Sequence, residues 1–195
     1  MITDMHQLID DKVGPAAGPA WRSQPWTQRI LWPFIKLLVS LAILWGVLTA
    51  RADVKVGDAF PALSGAGLSG PVPATRGQVV FVDFWASWCA PCKASFPAYA
   101  RIFADYAPQG LVVVAVSVDE SDAAYAGFLK RSAPPFPTVR DARQALVRQV
   151  RVPTMPTSYL IGRDGRVRYL HLGYHGAQTE RELRAEIETL LAEKT

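Results

Sequence analysis

The two cysteines of the chain, Cys89 and Cys92, lie three positions apart in the sequence WCAPC. Two cysteines at this spacing on the first turn of a helix can close a disulfide with little backbone movement. Cys89 would then lie at the helix N-terminus, where unpaired N–H groups and the helix dipole favour the thiolate that attacks disulfides. Cys92, one turn deeper, would release the mixed disulfide. Pro91 suits this first turn, since its missing N–H would have no partner there. The pair predicts thiol–disulfide exchange.

Composition and charge exclude several other classes of protein. A length of 195 residues and an apolar fraction of 50% are typical of one packed domain with a terminal appendage. Residues 1–52 carry five Lys and Arg against three Asp, so the rest of the chain holds only half of the net charge of +4. No cluster of basic residues stands out there, so a nucleic-acid partner is not indicated. A structural zinc site would need two further Cys or His ligands at matching spacing, and no such pattern is present.

Strands and helices alternate along the second half of the sequence. Val79–Phe84 is almost continuously β-branched or aromatic, which predicts a strand buried on both faces. An Asp-Gly pair within Arg163–Arg166 predicts a hairpin turn, and Thr179 with Glu182 predicts the capped start of a last helix. Alternation of this kind implies parallel neighbours, and the hairpin adds an antiparallel edge, so the fold class is α/β. We expect strands at 79–84, 111–118, 157–161 and 167–172, helices at 93–106, 121–131, 141–150 and 179–192, and loop or edge segments at 53–76 and 133–137.

The sequence around the cysteines resembles the active site of the thioredoxin superfamily. The stretch that carries the resemblance is VDFWASWCAPCK at Val82–Lys93. Four further segments make the chain similar to the periplasmic TlpA/ResA/DsbE group: Val56–Pro61, Phe96–Pro97, Val116–Asp119 and Pro156–Gly165. The resemblance covers about residues 54–192. It implies a thioredoxin-like fold, in which helices flank a central mixed β-sheet.

The resemblance also implies roles for Pro156 and Asp83. Pro156 matches the cis-proline that faces the disulfide in this superfamily and leaves the preceding backbone free to pair with an extended substrate. Asp83 occupies the position of the buried acid of thioredoxin, six residues before Cys89. Burial would raise the pKa of this carboxyl and fit it to exchange the Cys92 proton. In the alternative interpretation, Asp83 is a strand-end carboxylate paired with Lys93 or another cation.

Three residues are candidates for substrate binding, and one position departs from the family pattern. Trp88 and Pro91 flank Cys89 on the expected docking surface, although Trp88 could also be a packed core residue. Met155 precedes the cis-proline position and could contact the substrate or fill a gap in the core. Many members of the group carry Glu three residues after the second cysteine, and this chain has Ser95. Because of this departure, the sequence does not fix the reduction potential or the substrate.

The N-terminal segment predicts export from the cytoplasm. Residues 1–29 are polar and form a predicted disordered cytoplasmic tail, and an apolar run interrupted by Lys36 follows at residues 30–50. Residues 30–52 are either a signal peptide, cleaved near Ala52, or an uncleaved anchor in the inner membrane with Lys36 reaching the headgroups. Residues 53–195 are then a thioredoxin-like domain in the periplasm, where a cysteine pair can be driven in either direction.

These features together predict a protein-disulfide reductase without a cofactor or metal, because the sulfurs themselves carry the electrons. The resemblance implies exported disulfide proteins as substrates, such as apocytochrome c or copper-site proteins, and a membrane thiol donor of electrons. One alternative is a copper-binding chaperone that uses the cysteines with His171 or His175. A peroxiredoxin-like peroxidase is a second alternative, although Ala86 lies where such an enzyme needs Thr or Ser.

Overall fold

The structure, a computed structural model, describes residues 53–193 together with Lys36, Leu37 and Val39, which are helical. Residues 53–193 belong to the compact unit Arg51–Thr195. The predicted tail and nearly all of the predicted signal or anchor segment lie outside the described residues. Within the part of the chain that is described, no helix has the length and apolar character needed to span a membrane.

A mixed five-stranded sheet forms the centre of this unit, with the strand order β3-β2-β1-β4-β5. β1, β2 and β3 run parallel, while β4 is antiparallel to β1 and β5 is antiparallel to β4. The predicted α/β thioredoxin-like fold is confirmed, including the antiparallel edge. β3 was not predicted, because three residues after a proline-rich loop are too few to show a periodic pattern. The strands are β1 (Val79–Trp85), β2 (Leu111–Ser117), β3 (Thr138–Arg140), β4 (Thr157–Ile161) and β5 (Val167–Leu172).

Four helices are connected to this sheet, and the last two begin away from the predicted positions. They are α1 (Ala90–Tyr106), α2 (Asp122–Ser132), α3 (Ala145–Val150) and α4 (Ala177–Ala192). α1 begins directly after Cys89, as predicted for the helix N-terminus, with a proline in its first turn. α3 begins four residues later than predicted. The predicted cap of α4 at Thr179 is wrong. Gly176 begins this helix with a backbone φ of 63°, a conformation that favours glycine, and Thr179 lies in the first turn.

Alternate side chains of β1 point to α1, as the two-residue period of a strand requires. The ring of Phe81 lies 4.9 Å from that of Tyr99, and the ring of Trp85 lies 4.8 Å from that of Phe96. Trp85 is fully buried and also contacts Phe128 of α2 at 4.7 Å. These aromatic contacts fix α1 against the sheet, at residues of the helix that closely follow its N-terminus. Asp83, between Phe81 and Trp85, therefore faces the same helix.

The segment that precedes β1 follows both edges of the sheet. Isolated bridges join Ala59 to Arg166, next to β5, and Ser69 to Arg140 of β3. The predicted loop or edge character of residues 53–76 is confirmed.

Candidate active site

The two cysteines form a disulfide at the N-terminus of α1. Their Cα atoms lie 5.3 Å apart. Cys89 is the N-cap residue, and its Sγ accepts a hydrogen bond from the backbone N–H of Cys92 at 3.2 Å. Cys89 is 5% exposed and Cys92 is fully buried. Because an N–H group and the positive end of the helix dipole face the Cys89 sulfur, a negative charge on this sulfur is stabilised in the reduced form.

A buried carboxylate holds the turn between β1 and Cys89. Asp119, which is 2% exposed, accepts hydrogen bonds from the backbone N–H of Ser87 at 2.9 Å and from its hydroxyl at 2.8 Å. The Ser117 hydroxyl at the end of β2 donates a further bond at 2.8 Å. The next residue, Trp88, is 68% exposed, so the alternative of a packed core tryptophan does not apply. The pinned turn therefore presents a large aromatic ring beside the disulfide.

The loop before β4 meets the cysteine turn at the same end of the sheet. The antiparallel register pairs Thr157 with Phe84, so the residues before β4 leave the sheet where β1 ends. The Met155–Pro156 peptide bond is cis, Pro156 is buried, and its carbonyl accepts a hydrogen bond from Gly173 N–H at 2.8 Å. Met155 is partly buried against the core and keeps part of its surface exposed. Pro91 is also exposed, within the first turn of α1.

Asp83 is fully buried and is surrounded by hydroxyl groups rather than cations. Its Oδ1 accepts a hydrogen bond from the Ser158 hydroxyl at 2.7 Å and one from the Tyr99 hydroxyl at 3.3 Å. Its Oδ2 is buried and has no hydrogen-bond partner among the described residues. Burial raises the pKa of this carboxyl from 3.8 to about 7, while the bonds from Ser158 and Tyr99 act in the opposite direction.

The alternative interpretation of Asp83 as one member of an ion pair does not fit this environment. Lys93 is exposed, and the ion pairs found within residues 53–193 do not include Asp83. The acid is therefore buried without a compensating charge, which is the condition under which a carboxyl holds its proton near neutral pH.

Three residues with polar side-chain groups share one face of α1, and the first of them belongs to the disulfide. Cys92, Ser95 and Tyr99 follow one another at spacings of three and four, which place side chains on the same side of a helix. Ser95 is buried, and its hydroxyl donates to the carbonyl of Cys92 at 2.8 Å. The sequence interpretation missed Tyr99 and Ser158 as partners of Asp83. The helical spacing could have indicated Tyr99, and the cross-strand pairing of Ser158 with Asp83 needed the register.

The two histidines of the copper-chaperone alternative are used elsewhere in the fold. His171 Nε2 lies 2.6 Å from a carboxylate oxygen of Glu186, and its Nδ1 lies 3.8 Å from one of Glu182, both on α4. The backbone N–H of His175 donates to the Thr179 hydroxyl at 3.0 Å. Among the residues that the structure covers, no group of three His, Cys, Asp or Glu could hold a metal ion.

The sheet order, the cis-proline loop and a cysteine pair at a helix N-terminus define a thioredoxin-like thiol–disulfide oxidoreductase. Residues 56–170 match the model of the AhpC/TSA family, and the chain belongs to this family.

Similar proteins carry the same activity in their names. The chain is 29% identical over 147 residues to the thiol–disulfide oxidoreductase ResA of Bacillus thuringiensis, an alignment that covers 71% of this chain and 85% of that protein. It is 28% identical to ResA of Geobacillus thermodenitrificans over 171 residues, which are 84% of this chain and 97% of the relative. A crystal structure assigned as the thiol:disulfide interchange protein DsbE of Chlorobium tepidum matches with a TM-score of 0.66 and 34% identity, over 72% of this chain and 100% of that one.

The chain is therefore a protein-disulfide oxidoreductase with a thioredoxin-like fold, as the sequence predicts. The named relatives favour this activity over the copper-chaperone and peroxidase alternatives.

Proposed function

We propose that the protein reduces disulfides in exported proteins, with Cys89 as the attacking sulfur and Cys92 as the resolving one. The observation that carries this proposal is the position of Cys89 as the cap of α1, where its Sγ accepts the Cys92 N–H. That position favours the thiolate at Cys89, and only a thiolate attacks a disulfide. Cys92 is fully buried, so a substrate reaches Cys89 first.

The reaction consists of two exchanges of sulfur–sulfur bonds. In the first, the Cys89 thiolate attacks one sulfur of the substrate disulfide, and the other substrate sulfur leaves as a thiolate, which takes a proton from water. In the second, the Cys92 sulfur attacks Cys89 Sγ, the bond to the substrate breaks, and the substrate leaves with both sulfurs reduced. Two electrons pass from the dithiol to the substrate. A thiol donor in the membrane then reduces the Cys89–Cys92 disulfide for the next cycle.

Asp83 is the proposed acceptor of the Cys92 proton in the second exchange. Cys92 must lose its proton as it attacks, and a general base works best when its pKa lies near the working pH. The pKa of about 7 that burial gives Asp83 meets this condition. After the substrate has left, the proton returns to water.

The proposed substrate surface surrounds the disulfide. Trp88 and Pro91 contribute exposed apolar area next to Cys89, and Met155 contributes a partly exposed side chain before the cis-proline. Pro156 shapes the loop so that the backbone of Met155 can pair with an extended substrate segment. Apocytochrome c and copper-site proteins with a disulfide are the substrate classes that the family resemblance implies.

The proposed direction is reduction of the substrate, which the resemblance to the TlpA/ResA/DsbE group supports.

We expect a reduction potential nearer the thioredoxin value of about −270 mV than the value of about −120 mV for the strong oxidant DsbA. Equilibration of the full-length protein with glutathione and dithiothreitol buffers, read by alkylation of the free thiols, measures it. A potential close to −120 mV would mean that the protein oxidises its substrates instead.

The proposed location is the periplasm, with residues 1–29 in the cytoplasm when the segment 30–52 is retained as an anchor. The apolar run at residues 30–50 supports this assignment. The cysteine pair also supports it, because disulfides form and persist in oxidising compartments such as the periplasm. Fractionation of cells followed by N-terminal sequencing distinguishes the two forms. A soluble periplasmic protein that begins near Asp53 indicates cleavage, and a membrane-bound protein that begins at Met1 indicates an anchor. Recovery from the cytoplasm would contradict both.

A further inference from the structure

Two hydroxyl groups contact Asp83 from different elements of the fold. Ser158 lies on β4, directly opposite Asp83 in the register, and Tyr99 lies on α1. All three residues are at most 1% exposed. Alanine in place of Ser158 and phenylalanine in place of Tyr99 would have nearly the same shape without a polar group. Packing of the core therefore does not require the two hydroxyls.

The hydroxyls converge on one oxygen of the carboxyl group. Ser158 Oγ lies 2.7 Å and Tyr99 Oη 3.3 Å from Asp83 Oδ1, and the two hydroxyl oxygens lie 3.2 Å from each other. Asp83 Oδ2 has no such partner within residues 53–193. Because the donated bonds occupy Oδ1, the proton that Asp83 takes up has its place on Oδ2.

Hydrogen bonds donated to a carboxylate stabilise its ionised form, whereas burial stabilises the protonated form. The first effect depends on the two hydroxyls, and the second depends on the surrounding core. The balance between them sets the pH at which Asp83 exchanges its proton.

We propose that Ser158 and Tyr99 are positioning residues that set the working pH of Asp83 as the acceptor of the Cys92 proton. The proposal rests on the proposed function, since this pH matters to the reaction only when Asp83 takes that proton. In this proposal, two neutral hydroxyl groups stabilise the ionised form of Asp83, instead of a cation such as Lys93.

The other neighbours of Asp83 leave these hydroxyls as the groups that act on it. Its register partner on β2 is Ala115, and Phe81 and Trp85 flank it on the same face of β1. The titratable side chain that contacts it within residues 53–193 is Tyr99, whose own pKa is raised well above its usual value by burial and by the Asp83 charge. Tyr99 therefore acts as a neutral donor over the whole working range.

The test measures the protonation of Asp83 in the oxidised full-length protein, in which the cysteines do not titrate. The infrared band of a protonated carboxyl disappears on ionisation, and its absence in Asp83→Asn assigns the band to this residue. We expect Ser158→Ala to move the midpoint of this titration to higher pH by about one unit, the size of one hydrogen bond to a charged group. Tyr99→Phe should move it in the same direction by less, because its bond to Oδ1 is longer.

Ser117→Ala is the matched control. Ser117 is also a fully buried serine in the sheet, but its hydroxyl donates to Asp119. This variant should leave the Asp83 titration in place. The pH profile for release of the mixed disulfide should shift in Ser158→Ala and Tyr99→Phe by the same amounts as the infrared midpoint, which loss of packing alone would not produce.

An unchanged or lower midpoint in both variants would overturn the proposal, and Tyr99→Phe provides the answer alone should Ser158→Ala fail to fold. The proposed function fails in a different way. If Asp83→Asn leaves the pH profile of the release step unchanged, Asp83 does not take the Cys92 proton, whatever the infrared titration gives.

Discussion

The Cys92→Ala variant is expected to accumulate a covalent mixed disulfide between Cys89 and its substrate. Cys89 keeps its place as the cap of α1 in this variant, so the first sulfur exchange proceeds. The second exchange has no attacking sulfur, and the substrate stays attached. Turnover should fall by about 10³-fold or more, as is usual when a covalent catalyst loses one of its reacting groups. Mass spectrometry of the adduct, formed with a disulfide-containing exported protein, identifies the bonded cysteine.

The matched control for this experiment is Cys89→Ser. This variant retains a cysteine at position 92, but that sulfur is fully buried within the first turn of the helix. It should form no adduct and should show the same loss of turnover. Adducts on Cys92 in Cys89→Ser, together with none on Cys89 in Cys92→Ala, would reverse the proposed roles of the two sulfurs.

The trapped complex also tests the proposed substrate surface. Hydrogen exchange should slow at the backbone amides of Trp88 and Cys92 and in the loop before β4 when the substrate is attached. Protection confined to the opposite end of the sheet, where β1 begins, would exclude Trp88, Pro91 and Met155 from substrate binding.

The parts of the site that are local in sequence were predictable, and those that depend on distant pairing were not. The cysteine spacing and the adjacent proline predict a reactive helix N-terminus, because all the groups involved lie within one turn. The burial of Asp83 follows from the continuous apolar strand that contains it. The hydroxyls that surround this acid come from another strand and from the third turn of α1. The contact between Tyr99 and Ser158 joins residues 59 positions apart and depends on the register of β1 with β4 and on the packing of α1 against the sheet.

The start of the last helix demonstrates a different limit of sequence interpretation. Thr179 and Glu182 have the residue types and spacing of a capping box, yet the helix starts three residues earlier. Gly176 adopts a backbone conformation that other residues rarely reach, and the Thr179 hydroxyl accepts the His175 N–H instead of serving as the cap. A capping pattern thus identified the helix but not its first residue.

Asp83 is expected to make the stability of the protein depend strongly on pH. Its pKa is raised from 3.8 to about 7 by burial, so between these values the folded protein binds a proton that the unfolded chain does not. Folding stability therefore decreases as pH rises, by about 1.4 kcal/mol per unit. The contribution is fully present below pH 3.8 and is lost as pH rises to about 7, with a total of about 4 kcal/mol.

The Asp83→Asn variant isolates this contribution, because an amide does not titrate. Urea unfolding of the oxidised wild-type and variant proteins at several pH values gives the two free energies of unfolding. All other titrating groups are common to both proteins, so the difference between the two curves belongs to Asp83. We expect that difference to change by about 4 kcal/mol between pH 4 and 8, in favour of the variant at high pH. Parallel curves would mean that the acid ionises in the folded protein as it does in the unfolded chain. A buried carboxylate without a cation would then have to be stabilised by its two hydroxyl donors alone, and the pKa near 7 on which the proposed role of Asp83 as acceptor of the Cys92 proton depends would not exist.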